Sequence, residues 1–262
     1  MKKLLPSFFV FFLLSSITCA TLYAQGKAQE YYQLKTFTVK NEKQESMMDA
    51  YLKDALLPAL KRTGIDHVGV FKLRSSKFIL ANKVYVLIPF TSLVQFEGIE
   101  KKLSKDKDYV LAGKDYINAS HNNPPYERFT STVLRAFTEM PKLKATSVEG
   151  PRQDRVYELR SYESPTEMTY LNKVDMFNAG GEVKLFDELG FNAVFYAEVI
   201  SGDRMPNLMY MTTFTNMEQR ETKWGDFSNS EVWKKLSAEA KYQNNVNKAD
   251  ILLLYPTEYS DY

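Results

Sequence analysis

The feature that most constrains the fold of this chain is an internal repeat. The strand-like run YQLKTF at 32–37 returns as YELRSY at 157–162, at an offset of 125 residues. Two further pairs of blocks repeat at nearly the same offset. The sequence therefore predicts two copies of one small unit, and any site is expected where the copies face each other. The remaining blocks at nearly the same offset are LPALKRTG at 57–64 with VKLFDELG at 183–190, and VYVLIPF at 84–90 with LMYMTTF at 208–214.

The N-terminus has the pattern of a secretory signal peptide over residues 1–24. Two lysines precede a short apolar stretch, and Ala24 stands before Gln25. The stretch is short for a transmembrane anchor. A lipid on Cys19 is the weaker alternative, because the preceding residues lack the Leu and the small residue of a lipoprotein signal. We therefore expect an exported protein, periplasmic or secreted, with no membrane span in the mature chain.

Composition narrows the classes of function. Cys19 is the single cysteine, so cleavage after Ala24 leaves no disulfide, thiolate ligand or cysteine nucleophile. The full chain carries 34 basic and 32 acidic residues, and loss of Lys2 and Lys3 would balance them. A chain without net charge is a poor candidate for binding nucleic acid or anionic membranes nonspecifically.

Each half shows the order β-α-β-β-α-β of a ferredoxin-like unit. We expect the first domain at 28–138, a linker rich in Pro, Gly and charge at 139–154, and the second domain at 155–262. One face of each sheet is covered by helices, and the bare faces would cover each other as an intramolecular dimeric α+β barrel. The predicted strands are 31–39, 67–73, 84–90, 128–137, 156–162, 191–200, 208–214 and 250–255.

The second half resembles the NIPSNAP family. The resemblance rests on the opening VYELRSY at 156–162, on FDELGF at 186–191, and on the strand and helix at 208–236 with Trp224 and Trp233. The first half is similar only as a diverged copy. The resemblance implies the dimeric α+β barrel fold, and it implies no particular reaction, because the biochemical role of the family is unsettled.

The opening strand of the second half carries the first candidate site residues. Strand alternation puts Glu158, Arg160 and Tyr162 on one face. If Leu159 packs on the helices, the charged face enters the space between the sheets, where we expect Arg160 to meet a carboxylate. Two interpretations stay open: an ion pair that holds the sheets in register, or a ligand-facing Arg with its acidic partner.

Three further residues complete the candidate ligand site. Tyr196 and Glu198 share the less apolar face of their strand, so they are expected to line a cavity. His67 is expected to open a strand. His67 and His121 are the only histidines and lack metal-ligand spacing, so the sequence predicts no metal and no other cofactor.

Two functions remain compatible with the sequence. One is a small-molecule-binding or structural barrel, holding a small apolar or aromatic ligand or packed shut. The other is a cofactor-independent, monooxygenase-like enzyme acting on such a molecule. Only an open cavity with a perturbed titratable group would favour the enzyme. A homo-oligomer is compatible with either function.

Overall fold

A computed structural model describes residues 28–74, 82–146 and 148–262 of the protein. The predicted signal peptide lies outside these residues. The first half contains β1 (Tyr31–Val39), α1 (Glu42–Ala50), a π-helical segment (Tyr51–Leu56), α2 (Leu57–Arg62), β2 (Gly69–Leu73), β3 (Asn82–Phe90), α3 (Leu93–Leu103), α4 (Lys107–Ala112), α5 (Lys114–Ile117) and β4 (Arg128–Ala136). The second half contains β5 (Val156–Glu163), α6 (Glu167–Phe177), α7 (Glu182–Glu188), β6 (Ala193–Ser201), β7 (Asn207–Phe214), α8 (Met217–Asn229), α9 (Glu231–Ala238), a short 3-10 helix (Ala240–Tyr242) and β8 (Lys248–Pro256).

The eight strands form one closed barrel in the order β1-β3-β2-β8-β5-β7-β6-β4. Each half supplies four neighbouring antiparallel strands, as the ferredoxin-like pattern predicts. The halves are joined by hydrogen bonds at both edges, through β2 with β8 and β4 with β6. The predicted α+β barrel built from two tandem units is thereby confirmed. Closure also removes the exposed strand edges that would invite aggregation.

Local sequence explains where the helices begin and break. Asn41 caps α1 through a side-chain bond to the Gln44 N–H. Pro58 cannot donate a backbone N–H, and the helix is wound as a π-helix over Tyr51–Leu56 just before it. In the second half, Gly181 has φ +88° and separates α6 from α7. A side chain at this left-handed position would be strained, so glycine suits the break.

The buried residues form three main groups. The barrel core lies inside the closed sheet and includes Leu34, Phe195 and Leu254. The first helix layer lies between the first-half helices and the outer face of their strands. The second helix layer is the equivalent region of the second half, and aromatic rings such as those of Phe186 and Phe227 dominate it. Both faces of the sheet are therefore buried along much of β5, β6 and β7.

Candidate ligand-binding site

Strand register determines which side chains enter the barrel. Leu159 on β5 lies opposite Met211 on β7 and Leu252 on β8. Leu159 and Met211 belong to the barrel core, and Leu252 packs against it. Because side chains alternate along a strand, Tyr157 and Ser161 point to the same interior.

The barrel interior is filled at one end. There Tyr32 packs on Phe195, and Phe71 packs on Tyr157, with ring centroids 5.4 and 5.0 Å apart. Tyr262 closes this end, since its ring contacts both Phe71 and Tyr157. Because these aromatic side chains fill one end, the free space lies at the opposite end of the barrel.

The open end of the barrel holds a cavity of about 380 Å³. This volume lies in the lower range of small-molecule sites. Strands from both halves line it, so the site lies where the halves face each other. Its floor consists of Leu34, Tyr85, Leu159, Met209 and Leu252, and the collar above the floor consists of Thr36, Thr38, Thr130, Thr132, Ser161 and Asn207. An apolar floor below hydrogen-bonding groups suits a molecule with an apolar body and a polar end.

Charged side chains surround the mouth of this cavity. Arg204 donates to the Asp250 carboxylate, and its Nη1 lies 3.4 Å from a Glu163 oxygen. Arg204, the cation that the second half places at the mouth, is thus paired with acidic residues of the same half. The other charged lining residues are Lys83, Arg128 and Asp203.

Glu158 lies outside the barrel, beneath α8. Its carboxylate is fully buried and accepts hydrogen bonds from Arg160 Nε at 2.6 Å, Arg220 Nε at 2.6 Å and Trp224 Nε1 at 2.9 Å. Arg220 and Trp224 are four residues apart and therefore share one face of α8. The Arg160 guanidinium also stacks 3.7 Å from the Trp224 ring centroid. We call these four residues the Glu158 cluster.

The prediction that Glu158 and Arg160 point into the inter-sheet space is wrong. It assigned Leu159 to the helix side, but both faces of β5 are buried, so one leucine could not decide the orientation. The expected contact of Arg160 with a carboxylate is confirmed. The carboxylate is satisfied by protein donors, and the cluster fixes α8 to the sheet instead of holding two sheets in register.

A second set of polar contacts extends from the Glu158 cluster. Arg160 Nη1 donates to the Tyr162 hydroxyl at 2.8 Å, and that hydroxyl lies 2.9 Å from the hydroxyl of Tyr210. Nearby, Lys173 and Glu182 form an almost fully buried ion pair at 2.9 Å. Burial raises the pKa of the Glu182 carboxyl above its ordinary value, against the opposing effect of Lys173.

Tyr196 and Glu198 also point away from the barrel cavity. The Tyr196 ring packs in the second helix layer and borders a separate cleft of about 210 Å³ beside α7. Glu198 pairs with Arg135 at 3.0 Å and accepts a bond from the Tyr170 hydroxyl. The expected position of both residues is wrong, because the more apolar stripe of β6, which includes Phe195, faces the barrel core.

His67 does not open a strand. It precedes β2, is exposed, and has φ +61°. With Glu30 and Asp66 it borders a surface cleft of about 210 Å³, apart from the barrel cavity. Within the described ranges, no group of three or more potential ligands could hold a metal ion.

The cavity residues that sequence reasoning missed are mostly short and polar. Thr36 and Thr38 alternate with the buried Phe37 and Val39 on β1, which marks a strand with one hydroxyl-rich face. Thr130 and Thr132 likewise stand two residues apart on β4 and line the cavity. Threonines at every second position of the neighbouring strands β1 and β4 indicate this polar interior face. The charged motif of β5 is more conspicuous, but it lies on the other side of the sheet.

Comparison with known proteins identifies the second half. Residues 157–261 match the model of the NIPSNAP family. A search among curated proteins gave no match.

Solved structures share the fold over most of the chain. A monooxygenase-like protein from Lactobacillus acidophilus aligns with 87% of this chain and 94% of its own, at 11% identity and a TM-score of 0.55. A monooxygenase-like protein from Fusobacterium nucleatum aligns with 88% and 93%, at 9% identity and a TM-score of 0.53. A NIPSNAP family protein from Agrobacterium tumefaciens aligns with 40% of this chain and 96% of its own, at 15% identity and a TM-score of 0.36.

No helix in the described part of this chain is long and apolar enough to cross a membrane.

Proposed function

We propose that this protein, whose second half matches the NIPSNAP family model, binds a small molecule with an apolar or aromatic body in the open end of its barrel. The observation that supports this function is the cavity of about 380 Å³, with its leucine-lined floor and its collar of hydroxyl groups. A body placed on Leu34, Leu159 and Leu252 would be removed from water, and each Å² of apolar surface buried contributes about 25 cal/mol.

The contrast between the two ends of the barrel favours binding over a purely structural role. Aromatic rings fill the closed end, whereas threonine and serine occupy the equivalent layer of the open end. A barrel selected only for stability would gain from larger apolar side chains there, because cavities cost free energy. The short side chains preserve space that a ligand can use.

A cofactor-independent, monooxygenase-like enzyme is the second candidate, and the whole-length likeness to two monooxygenase-like structures is what favours it. The cavity chemistry favours it less. Burial raises the pKa of the Tyr85 phenol above its ordinary value, so Tyr85 stays protonated at neutral pH and does not act as a base. Asp250 is paired with Arg204. Oxygen consumption with the ligand present would separate the enzyme from the binding protein.

Mass spectrometry of small molecules retained by the purified protein tests the binding function. Thr36 lines the cavity, so Thr36→Trp should occupy it and abolish retention of any ligand found with the parent protein. Ile251→Trp is the matched control, because Ile251 is exposed between two cavity-lining residues of the same strand. Equal retention by the parent and Thr36→Trp would contradict the proposed site.

We also propose that the protein is exported after cleavage at Ala24, as its N-terminal pattern indicates. The mature chain would then begin at Gln25 and contain no thiol. Intact-mass measurement of the protein from its native cells should give a chain that starts at Gln25. A mass that retains the preceding residues, or a lipid on Cys19, would contradict this proposal.

A further inference from the structure

Two cations flank the cavity mouth on the first-half side. Thr38 of β1 lies opposite Lys83 on β3 and opposite Arg128 on β4, so the three residues form one row across neighbouring strands. All three line the cavity. Two strand spacings separate the backbones of Lys83 and Arg128 by about 9–10 Å. Side chains of this length can converge on one small group above the Thr38 hydroxyl.

Neither cation has an acidic partner among the described residues. Across the part of the chain that the structure describes, the Lys83 and Arg128 side chains form no ion pair and no hydrogen bond, in contrast to Arg204. The residues outside the described ranges contain no Asp and no Glu, so they offer no side-chain carboxylate either. The remaining acid at the mouth is Asp203, which is exposed on the β6–β7 loop of the other half.

We infer that the ligand is a small amphipathic anion, such as an organic carboxylate or sulfonate. This inference rests on the proposed function and names the chemical class of its ligand. The apolar body lies on the floor, and the anionic group lies at the row formed by Lys83, Thr38 and Arg128. Charge-assisted hydrogen bonds from these two cations are stronger than neutral ones. The opposite wall carries Asp203 and the Asp250–Arg204 pair, so it disfavours an anionic group placed there.

A matched pair of fluorescent dyes tests this assignment. Anilinonaphthalene sulfonate and N-phenylnaphthylamine share one aromatic skeleton and differ in the sulfonate group. Both fluoresce when they enter an apolar cavity. The parent protein should bind both dyes, and it should bind the sulfonate at least about 10-fold more tightly, as expected for a charge-assisted hydrogen bond. Added salt should reduce that preference, because the mouth is accessible to solvent.

The double variant Lys83→Gln, Arg128→Gln should weaken sulfonate binding about 10-fold and leave N-phenylnaphthylamine binding nearly unchanged. Lys35→Gln is the matched control: Lys35 lies on the outer face of β1, where it pairs with Glu100 at 3.3 Å. It should change neither affinity. Melting temperatures of both variants show whether they are folded.

The outcomes distinguish this inference from the proposed function. If the parent binds the two dyes equally, or if the double variant keeps the sulfonate preference, the anion site is wrong and the apolar cavity stands. If the dyes bind Thr36→Trp as well as they bind the parent, or if the parent binds neither dye, the proposed function fails as well.

Discussion

The two halves of the barrel share one topology but differ in what lies beneath their helices. At the repeat offset, Gln33 and Lys35 occupy the positions of Glu158 and Arg160. The Gln33 side-chain amide donates a hydrogen bond to the Ser131 hydroxyl at 2.8 Å. Glu158 instead accepts from Arg160, Arg220 and Trp224. The same fold therefore forms with and without a buried charge cluster at this position.

The difference extends to the helices. Met48 and Leu56 stand in the first half where Lys173 and Glu182 form a buried ion pair in the second. Both apolar residues belong to the first helix layer. Because apolar residues satisfy this architecture, the buried charges of the second half are not needed for topology. Their burial carries a desolvation cost that the apolar residues of the first half avoid.

The halves also differ at the cavity mouth, in the opposite sense. Lys83 and Arg128 of the first half have no acidic partner among the described residues, whereas Arg204 of the second half is neutralised. The diverged half thus supplies the charges that remain available to a ligand. The buried charges of the second half instead pair with one another beneath its helices.

The largest difference is expected between Glu158→Ala and Gln33→Ala. Glu158→Ala leaves Arg160, Arg220 and the Trp224 N–H without their acceptor, which should lower the free energy of unfolding by about 3–5 kcal/mol. Gln33→Ala loses one hydrogen bond and should cost about 1 kcal/mol. Urea denaturation measures both. Similar costs at the two positions would remove the distinction between the halves.

The Lys173–Glu182 pair can be replaced by the residues of the first half. Lys173→Met alone should cost about 3–5 kcal/mol, because Glu182 loses its cation. That cost should shrink as the pH is lowered, since burial raises the pKa of Glu182 and protonation removes the unpaired charge.

Adding Glu182→Leu should return the free energy of unfolding to within about 1 kcal/mol of the parent or above it. Chemical denaturation of the single and double variants at several pH values provides the comparison. A double variant as unstable as the single one would show that the second half depends on its ion pair in a way that the first does not.

Trp224 and Glu100 stand at equivalent positions on α8 and α3. Trp224→Phe removes the N–H that binds the buried Glu158 and should cost about 1.5–3 kcal/mol. Glu100→Gln removes an ion pair whose acid is 69% exposed, so it should cost less than about 1 kcal/mol. Thermal unfolding of the two variants should separate them clearly, and a larger loss for Glu100→Gln would contradict the comparison.

Removal of a tyrosine hydroxyl should lower the free energy of unfolding only slightly, and by a similar amount in the two halves. Tyr210 shares a hydrogen bond with Tyr162, and Tyr51 shares one with Tyr109, each at 2.9 Å. Tyr210→Phe and Tyr51→Phe should each cost about 1 kcal/mol, because each removes one neutral hydrogen bond. Denaturation midpoints are sufficient for this test. A much larger cost for Tyr210→Phe would extend the Glu158 cluster to this hydroxyl.

The sequence predicted the barrel because the repeat and the element order are global signals. Local residues such as Asn41 and Gly181 explain where the helices begin and break. The orientation of β5 could not be predicted, because helices cover one face and the opposite sheet covers the other, so Leu159 fits either side. A site between the halves was expected, but its lining residues were missed, because they are mostly short side chains contributed by several strands and no single segment contains them together.

We propose that the Glu158 cluster stabilises the second half, while the open end of the barrel binds the ligand. N-phenylnaphthylamine affinity and unfolding free energy, measured together in Glu158→Gln and Thr36→Trp, test this division of roles. We predict that Glu158→Gln is clearly destabilised but keeps the dye affinity of the parent, and that Thr36→Trp remains folded but loses at least about 10-fold in affinity. Loss of dye binding in folded Glu158→Gln, with full binding in Thr36→Trp, would contradict the account.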